Sequence, residues 1–356
     1  MTEVTRRKFI KGSLTAAGAA ALYACGFGRT NSPQIPNDGS TIEGNPTSGG
    51  RRNEILRQPR YLELERSGEL ARREQILWKK MERCDLCPRL CHVNRMAGEI
   101  GYCGVADTFR VANHGPDFGN ERPIGGTRGS GSVFLSNCPM LCIFCQNWEI
   151  NHRGDGRLTS HQQLADMLVS MQLRGTHNVS FITPTHLVPH LITALRLAIA
   201  RGLNVPLCYN TGGYDSLEVV KLLDGVVDIY QPDFKFQCSD RAARVMQGVP
   251  DYVYHTANAI KEMYRQVGPL HVQQNGLASH GVVVRHLVLP ENYGGADLFA
   301  RWIAEELGTD AHVNIMGQFW PAFRSNEFPP LNRRTTRAEY QQAVRWAREA
   351  GIRNFH

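Results

Sequence analysis

The stretch SVFLSNCPMLCIFC, residues 132–145, joins a short apolar run to three cysteines, Cys138, Cys142 and Cys145, in the spacing C-x3-C-x2-C. Five further runs share the character of its first half: NVSFITP (178–184), VPLCYNT (205–211), VDIYQPDFKF (227–236), VVVRHLVLP (282–290) and HVNIMGQFWP (312–321). Runs this short, rich in β-branched residues and ending in polar, Gly or Pro residues, are buried strands. Between them lie stretches with helical patterning, such as HQQLADMLVSMQLRG (161–175), LVPHLITALRLAIARG (187–202) and ADLFARWIAEELG (296–308). Six strands alternating with helices give a parallel α/β sheet. In such folds the site lies at the carboxyl ends of the strands. The cysteine trio stands there, directly after the first run.

Three protein thiolates can bind three corners of a cubane cluster and leave the fourth iron open for a small chelating ligand, whereas a structural metal site is normally closed by a fourth residue. The alternative is a zinc trio completed at a distance by Cys208, Cys238 or a histidine. Structural zinc is usually built from paired ligands, which disfavours it. A second group, Cys84, Cys87, Cys91 and Cys103, lies in CDLCPRLCHVNRMAGEIGYCG (84–104). Four thiolates in one compact segment suffice to close a zinc site or to hold all four irons of a [4Fe-4S] cluster. The spacing fits neither the bacterial ferredoxin run nor a zinc ribbon, so cluster and zinc both stand, and a redox reading of Cys84 and Cys87 comes third. Gly98, Gly101 and Gly104 suggest tight turns that return Cys103 to the others. This clustering of cysteines argues for metal binding over scattered disulfides.

The chain has 356 residues, 42% of them hydrophobic, and a formal net charge of +7. That length suits one large α/β barrel with appendages, and the composition suits a globular core and not a membrane-embedded protein. Much of the positive charge lies early, in segments such as RRKFIK (6–11) and RREQILWKK (72–80), and reads as a solvated basic face with no nucleic-acid partner. Residues 1–25 resemble a twin-arginine export signal: Arg6 and Arg7, then Phe9 and Lys11, then an alanine-rich run too short to span a bilayer. Cys25, in LYAC, resembles a lipidation site, although Tyr23 is bulky for one. Residues 26–52 are Gly, Ser, Asn, Pro and Thr with almost no large apolar residues, the composition of a disordered linker. Residues 53–129 form a helical and Cys-rich region, with a helix across 61–83 that has Leu62, Leu64, Leu70, Ile76, Leu77 and Met81 available for one face. The barrel domain follows over 130–356.

CPMLCIFC, with Phe144 before the last cysteine, resembles the signature of the radical S-adenosylmethionine (SAM) enzymes. CPRLC, GEIGYCG, CQNWEI, TPTHLVP, YNTGGYDS, DIYQPDFKF, QVGPL, RHLVLP and NIMGQFWP, in that order from residue 84 onward, resemble the uncharacterised branch related to pyruvate formate-lyase activating enzymes. The resemblance implies a partial (β/α)6 TIM-like barrel. It implies a [4Fe-4S] cluster on Cys138, Cys142 and Cys145, with the amino and carboxylate groups of SAM chelating the fourth iron. It also implies cleavage of SAM to methionine and a 5'-deoxyadenosyl radical, a protein or peptide substrate bearing a target glycine, and a cytoplasmic electron donor.

Position by position, the resemblance places Asp233 and Lys235 of DFK at the SAM ribose and carboxylate. Thr183, Thr185 and His186 of TPTH stand where many relatives carry Gly-Gly-Glu for the methionine amino group, a departure from the pattern. Asn210 and Thr211 on the third strand, Arg285 and His286 on the fifth and Gln318 on the sixth are expected to face the same cavity. Plainer alternatives exist: Asp233 and Lys235 as a strand-end ion pair, Arg285 as a buried structural partner of a carboxylate, and Cys208 as a small core residue. Pro189 between His186 and His190 argues against a helical metal pair. Two rival functions follow from the cysteines alone, an iron-sulfur electron-transfer protein without SAM cleavage and a zinc-stapled binding protein. Neither gives the barrel motifs a role. The signal-like segment points to export or membrane association, while SAM and a strong reductant are cytoplasmic supplies and the periplasm is oxidising.

Overall fold

All six apolar runs are parallel strands of one sheet, because each is apolar on the face that meets the helices and is flanked by residues that end it. The computed structural model describes residues 58–356. The twin-arginine-like segment, the linker and residues 53–57 lie outside the described residues. The strands are β1 (Arg110–Asp117), β2 (Ser130–Leu135), β3 (Arg157–Leu158), β4 (Val179–Ile182), β5 (Leu207–Thr211), β6 (Ile229–Pro232), β7 (His271–Val272), β8 (Ala278–Leu287), β9 (His312–Met316) and β10 (Asn354–Phe355). Their order is β10-β9-β8-β6-β5-β4-β2-β1-β3, with β7 paired to β8. From β2 to β10 along this path every pairing is parallel; β1 on β2, β3 on β1 and β7 on β8 are antiparallel. Helices follow the strands in turn, among them His161–Leu173, Val188–Ala200, Leu217–Leu222, Tyr252–Val267 and Ala296–Glu306. This is an α/β fold with a mostly parallel sheet, a partial TIM-like barrel.

The two-residue period of the strands sorts side chains between two layers. Phe181, Leu207 and Tyr209 face Val188, Leu191, Ile192 and Leu195 of a covering helix. Cys208, Ile229 and Val283 point the other way, into a small interior cluster with Ile124, Leu270 and Ala278. Cys208 is therefore a core residue.

The sheet begins earlier than residue 130. β1, of sequence RVANHGPD, carries little apolar signal and is only intermittently buried. It is held by its register with β2, from Val111 opposite Leu135 to Asp117 opposite Ser130. The turn after β1 carries Glu121 and the short helix Arg122–Gly125 into the interior, where Ile124 joins the cluster around Cys208.

The expected helix across 61–83 is two helices, Tyr61–Arg66 and Glu69–Lys79, broken at Gly68, whose φ of 78° is left-handed. Leu70, Leu77 and Met81 are fully buried. Burying each such side chain is worth about 1.5–3 kcal/mol. The pair packs on helix Val188–Ala200, where Trp78 Nε1 donates to Thr193 Oγ1 at 3.0 Å and Arg196 bridges Glu65 at 2.8 Å and Glu74 at 2.5 Å.

Candidate active site

The chain leaves β2 at its carboxyl end and turns at Asn137 (φ 73°) into the loop carrying Cys138, Cys142 and Cys145. Leu141 also has a left-handed backbone (φ 50°), a conformation a leucine holds only where its surroundings impose it. Those surroundings are visible. Ile143 N donates to Val245 O at 2.9 Å, and Ile143 O accepts from Arg324 N at 2.9 Å. His152 Nε2 donates to Cys142 O at 2.8 Å, and Asn151 Nδ2 donates to Cys145 Sγ at 3.3 Å. Phe144, buried, stands edge-on between Phe236 and Phe319, with centroids 5.9 and 6.2 Å away. Its place beside the last cysteine is that of an anchor for the loop.

The turn after β5 packs beneath this loop. A Cβ on Gly212 would lie 2.1 Å from Met140 Sδ, and one on Gly213 (φ 82°) would lie 2.1 Å from Asp233 O. Gly213 requires glycine, being left-handed against backbone, and Gly212 leaves the space that Met140 fills.

Burial raises the pKa of all three thiols, Cys138 to about 11, while the Lys235 ammonium pulls each one down. Burial opposes the charge of Lys235 itself, but Asp233, Tyr252 and Cys142 more than offset it and hold its pKa above the ordinary lysine range. Lys235 Nζ donates to Asp233 Oδ2, and Lys235 N donates to the Tyr252 hydroxyl at 3.0 Å. The site thus pairs one buried and two partly buried thiols with one held cation. That donor set suits a thiolate-bound cluster, whose negative charge needs a nearby positive one. Among the described residues no three or more His, Cys, Asp or Glu side chains converge on a single metal ion.

The other expected residues divide. Asn210 is in register with Gln231, on the interior face of the sheet. Thr183 has φ 63°, strained for a β-branched residue, and its N donates to Asn210 O at 2.9 Å. Thr185 and Thr211 are drawn away into a buried hydroxyl cluster: both donate to Asp215, at 2.8 and 2.6 Å, alongside Tyr209 at 2.9 Å. Arg285 and His286 leave opposite faces of β8, as strand alternation demands, so they do not share a cavity. Arg285 points inward, where Glu121 takes its Nε at 2.7 Å and Nη2 at 2.6 Å. His286 points outward, stacks on Phe299 at 4.6 Å and donates through Nδ1 to Phe234 O at 2.8 Å; burial lowers its pKa to about 4. His186 is buried and donates through Nε2 to Ser136 O at 3.0 Å, while His190 sits on its helix against His161, so the two do not converge. Gln318 is exposed, its carbonyl accepting from Gln146 at 3.3 Å.

Sequence reading missed Glu121, Asp215, Arg89 and Arg95. Their partners are distant in the chain, and only the fact that acids and arginines are rarely fully buried without a partner could have flagged them once burial was known. Arg89, between Cys87 and Cys91, donates to Pro139 O at 2.9 Å and Met140 O at 3.4 Å in the trio loop, and to Met246 O at 2.9 Å. The segment bearing the four other cysteines is thereby fastened to the trio loop. Cys84, Cys87 and Cys103 are buried and Cys91 is partly so.

Residues 132–267 match the Radical SAM superfamily. That implies a [4Fe-4S] cluster and SAM. Two uncharacterized proteins of Methanocaldococcus jannaschii are similar to the chain. MJ0674 is 28% identical over 282 residues, covering 76% of this chain and 75% of that protein; MJ0808 is 22% identical over 281 residues, covering 72% and 78%. The crystal structure of HydG, a maturase of the [FeFe]-hydrogenase, superposes with a TM-score of 0.46 at 14% identity over 65% of this chain and 52% of that one. The chain thus spans about half the length of that structure.

Proposed function

We propose that the protein is a radical SAM enzyme that cleaves SAM reductively and directs the resulting radical at a C–H bond of a protein or peptide, as glycyl-radical activases do. One observation carries this reading: the three thiols at the end of β2 and the Asp233–Lys235 pair just beyond β6 meet at one end of the sheet, with Lys235 acting on all three sulfurs.

In this reading Cys138, Cys142 and Cys145 would hold a [4Fe-4S] cluster at which SAM would bind. Held there and reduced by an external one-electron donor, such a cluster would supply the single electron that splits SAM into methionine and a 5'-deoxyadenosyl radical. Lys235 and Asp233 orient the carboxylate and ribose of SAM, a cation against an anion and an acceptor against hydroxyls. Met140 and Phe144, both buried, keep water from the back of the loop. Trp148 stacked on Phe323 at 5.3 Å, with Trp320 exposed nearby in the chain, offers aromatic surface of the sort peptide segments bind. A cytoplasmic reductant would supply the electron, the N-terminal signal-like segment would give membrane association or export, and Cys84, Cys87, Cys91 and Cys103 would hold a second iron-sulfur or zinc centre. Among the described residues no helix is long and apolar enough to cross a membrane.

The test is anaerobic reconstitution with iron and sulfide, then dithionite and SAM, with 5'-deoxyadenosine measured against Cys142→Ala. Product that disappears in the variant supports the reading. Iron uptake with no product would replace it by electron transfer without SAM cleavage.

A further inference from the structure

We infer that Cys84, Cys87, Cys91 and Cys103 bind a second iron-sulfur cluster, ligated by all four thiolates and lying against the wall of the first site. This settles between the iron-sulfur and zinc alternatives for that segment, and it does not require that SAM be cleaved.

Cys84, Cys87 and Cys103 are buried in this segment and Cys91 is partly buried. A Cβ built on Gly101 would lie 3.5 Å from Cys103 Sγ and 3.6 Å from Cys91 Sγ, so the glycine leaves open the space next to both sulfurs. Gly101 also opens the turn that brings Cys103 back, its carbonyl accepting from Gly104 N at 2.9 Å.

Arg95 is the second observation. It is fully buried, and among the described residues no carboxylate pairs with it. Its Nε donates to Ala106 O at 2.8 Å and its Nη1 to His186 O at 2.7 Å, with Cys84 Sγ 3.9 Å from Nη1. Its Nη2 has no partner at all. A buried guanidinium without a counter-charge is costly, and neutral thiols supply none. Four thiolates around an iron-sulfur core do, because the assembly is anionic.

Zinc would also be anionic with four thiolates, but it demands that they close on one point. With bonds of about 2.3 Å, every pair of sulfurs in a tetrahedral zinc site is about 3.8 Å apart. Among the described residues no three such donors converge on one ion, at this segment or at the trio. A cubane gives each sulfur its own iron and needs no such convergence. The two segments also touch: the Gly104 Cβ position is 3.0 Å from Asn137 Nδ2, next to Cys138, and Arg89 ties the intervening loop to Pro139 and Met140.

The experiment uses the full chain, reconstituted anaerobically with iron and sulfide, as wild type, as the triple variant Cys138→Ser, Cys142→Ser, Cys145→Ser, and as the double variant Cys87→Ser, Cys103→Ser. Iron, zinc and acid-labile sulfide are counted, and electron paramagnetic resonance is recorded after reduction. The triple variant is expected to keep about four irons and four sulfides with a signal that SAM does not alter, against about eight of each in the wild type. Zinc in place of iron, or loss of all iron and sulfide from the triple variant while it stays folded by circular dichroism, overturns the inference. If the double variant fails to fold, the triple variant decides alone. Should the triple variant hold its cluster while the wild type cleaves no SAM, the inference stands and the proposed activity falls; a metal-free segment in a chain that does cleave SAM is the reverse.

Discussion

Arg285 and Glu121 stand 164 residues apart in the chain and meet as a two-pronged ion pair inside the barrel, at 2.7 and 2.6 Å. Gln231 adds a bond to Glu121 at 2.7 Å and Asn314 another at 2.8 Å. The carboxylate thereby links β6, β8 and β9 to the turn after β1.

The pair predicts a particular acid sensitivity. Burial alone would raise the Glu121 carboxyl; the Arg285 guanidinium overrides it and holds the pKa at about 2, against an ordinary 4.5. A depressed carboxyl stabilises the fold at pH above the unfolded value and loses that contribution as pH falls from about 4.5 toward 2. Glu121→Gln should remove this part of the acid limb, and by stranding Arg285 should cost about 3–5 kcal/mol at neutral pH. Urea unfolding of both proteins between pH 2 and 7 checks it; parallel pH curves would refute the assignment.

Lys235→Met keeps the length of the side chain and removes its charge. The three cysteines remain, so iron content should hold, while SAM affinity should fall about tenfold or more, the worth of one charge-assisted contact. Equilibrium binding of SAM to the iron-loaded protein reads this directly, and an unchanged dissociation constant would take Lys235 out of the SAM site.

Gly213→Ala places a methyl where Asp233 O already stands, on a left-handed backbone. The strain should cost about 1–3 kcal/mol and shift Asp233. Thermal unfolding should drop, and SAM binding should weaken more than in Gly248→Ala, where φ is also positive (67°) but the space is open.

Arg89→Ala cuts the ties from the four-cysteine segment to Pro139 and Met140 without touching a thiol. Iron bound by Cys138, Cys142 and Cys145 should be lost to a chelator several-fold faster than in the wild type, a hydrogen-bonded brace being worth about 1–2 kcal/mol. Equal rates would mean that the trio loop holds itself.

What could be read in advance depended on how local the cause was. Each of the six strands is announced by its own apolar run, and the trio by its own spacing. β1 is not, since RVANHGPD is polar and is held by pairing with β2 instead of by burial. The break at Gly68 hides inside a continuous helical pattern, because the apolar period resumes on its far side. At the site, Asp233 and Lys235 follow from one short motif and do lie beside the cysteines. Thr185 and Thr211 were named from their places at strand ends, but Asp215 gathers both hydroxyls. Arg285 and His286, adjacent in a strand, had to diverge. Glu121 was invisible because its partners come from three distant strands, and a lone Glu in NERPIGG reads as surface.

The ends of the sheet, β3 and β10, are not paired to each other. Glu121 and Ile124 fill the interior between β5, β6, β8 and β9, and the sheet stays open between its two edges. For the peptide substrate proposed above, a sheet left open between its two edges would admit an internal stretch as readily as a free end.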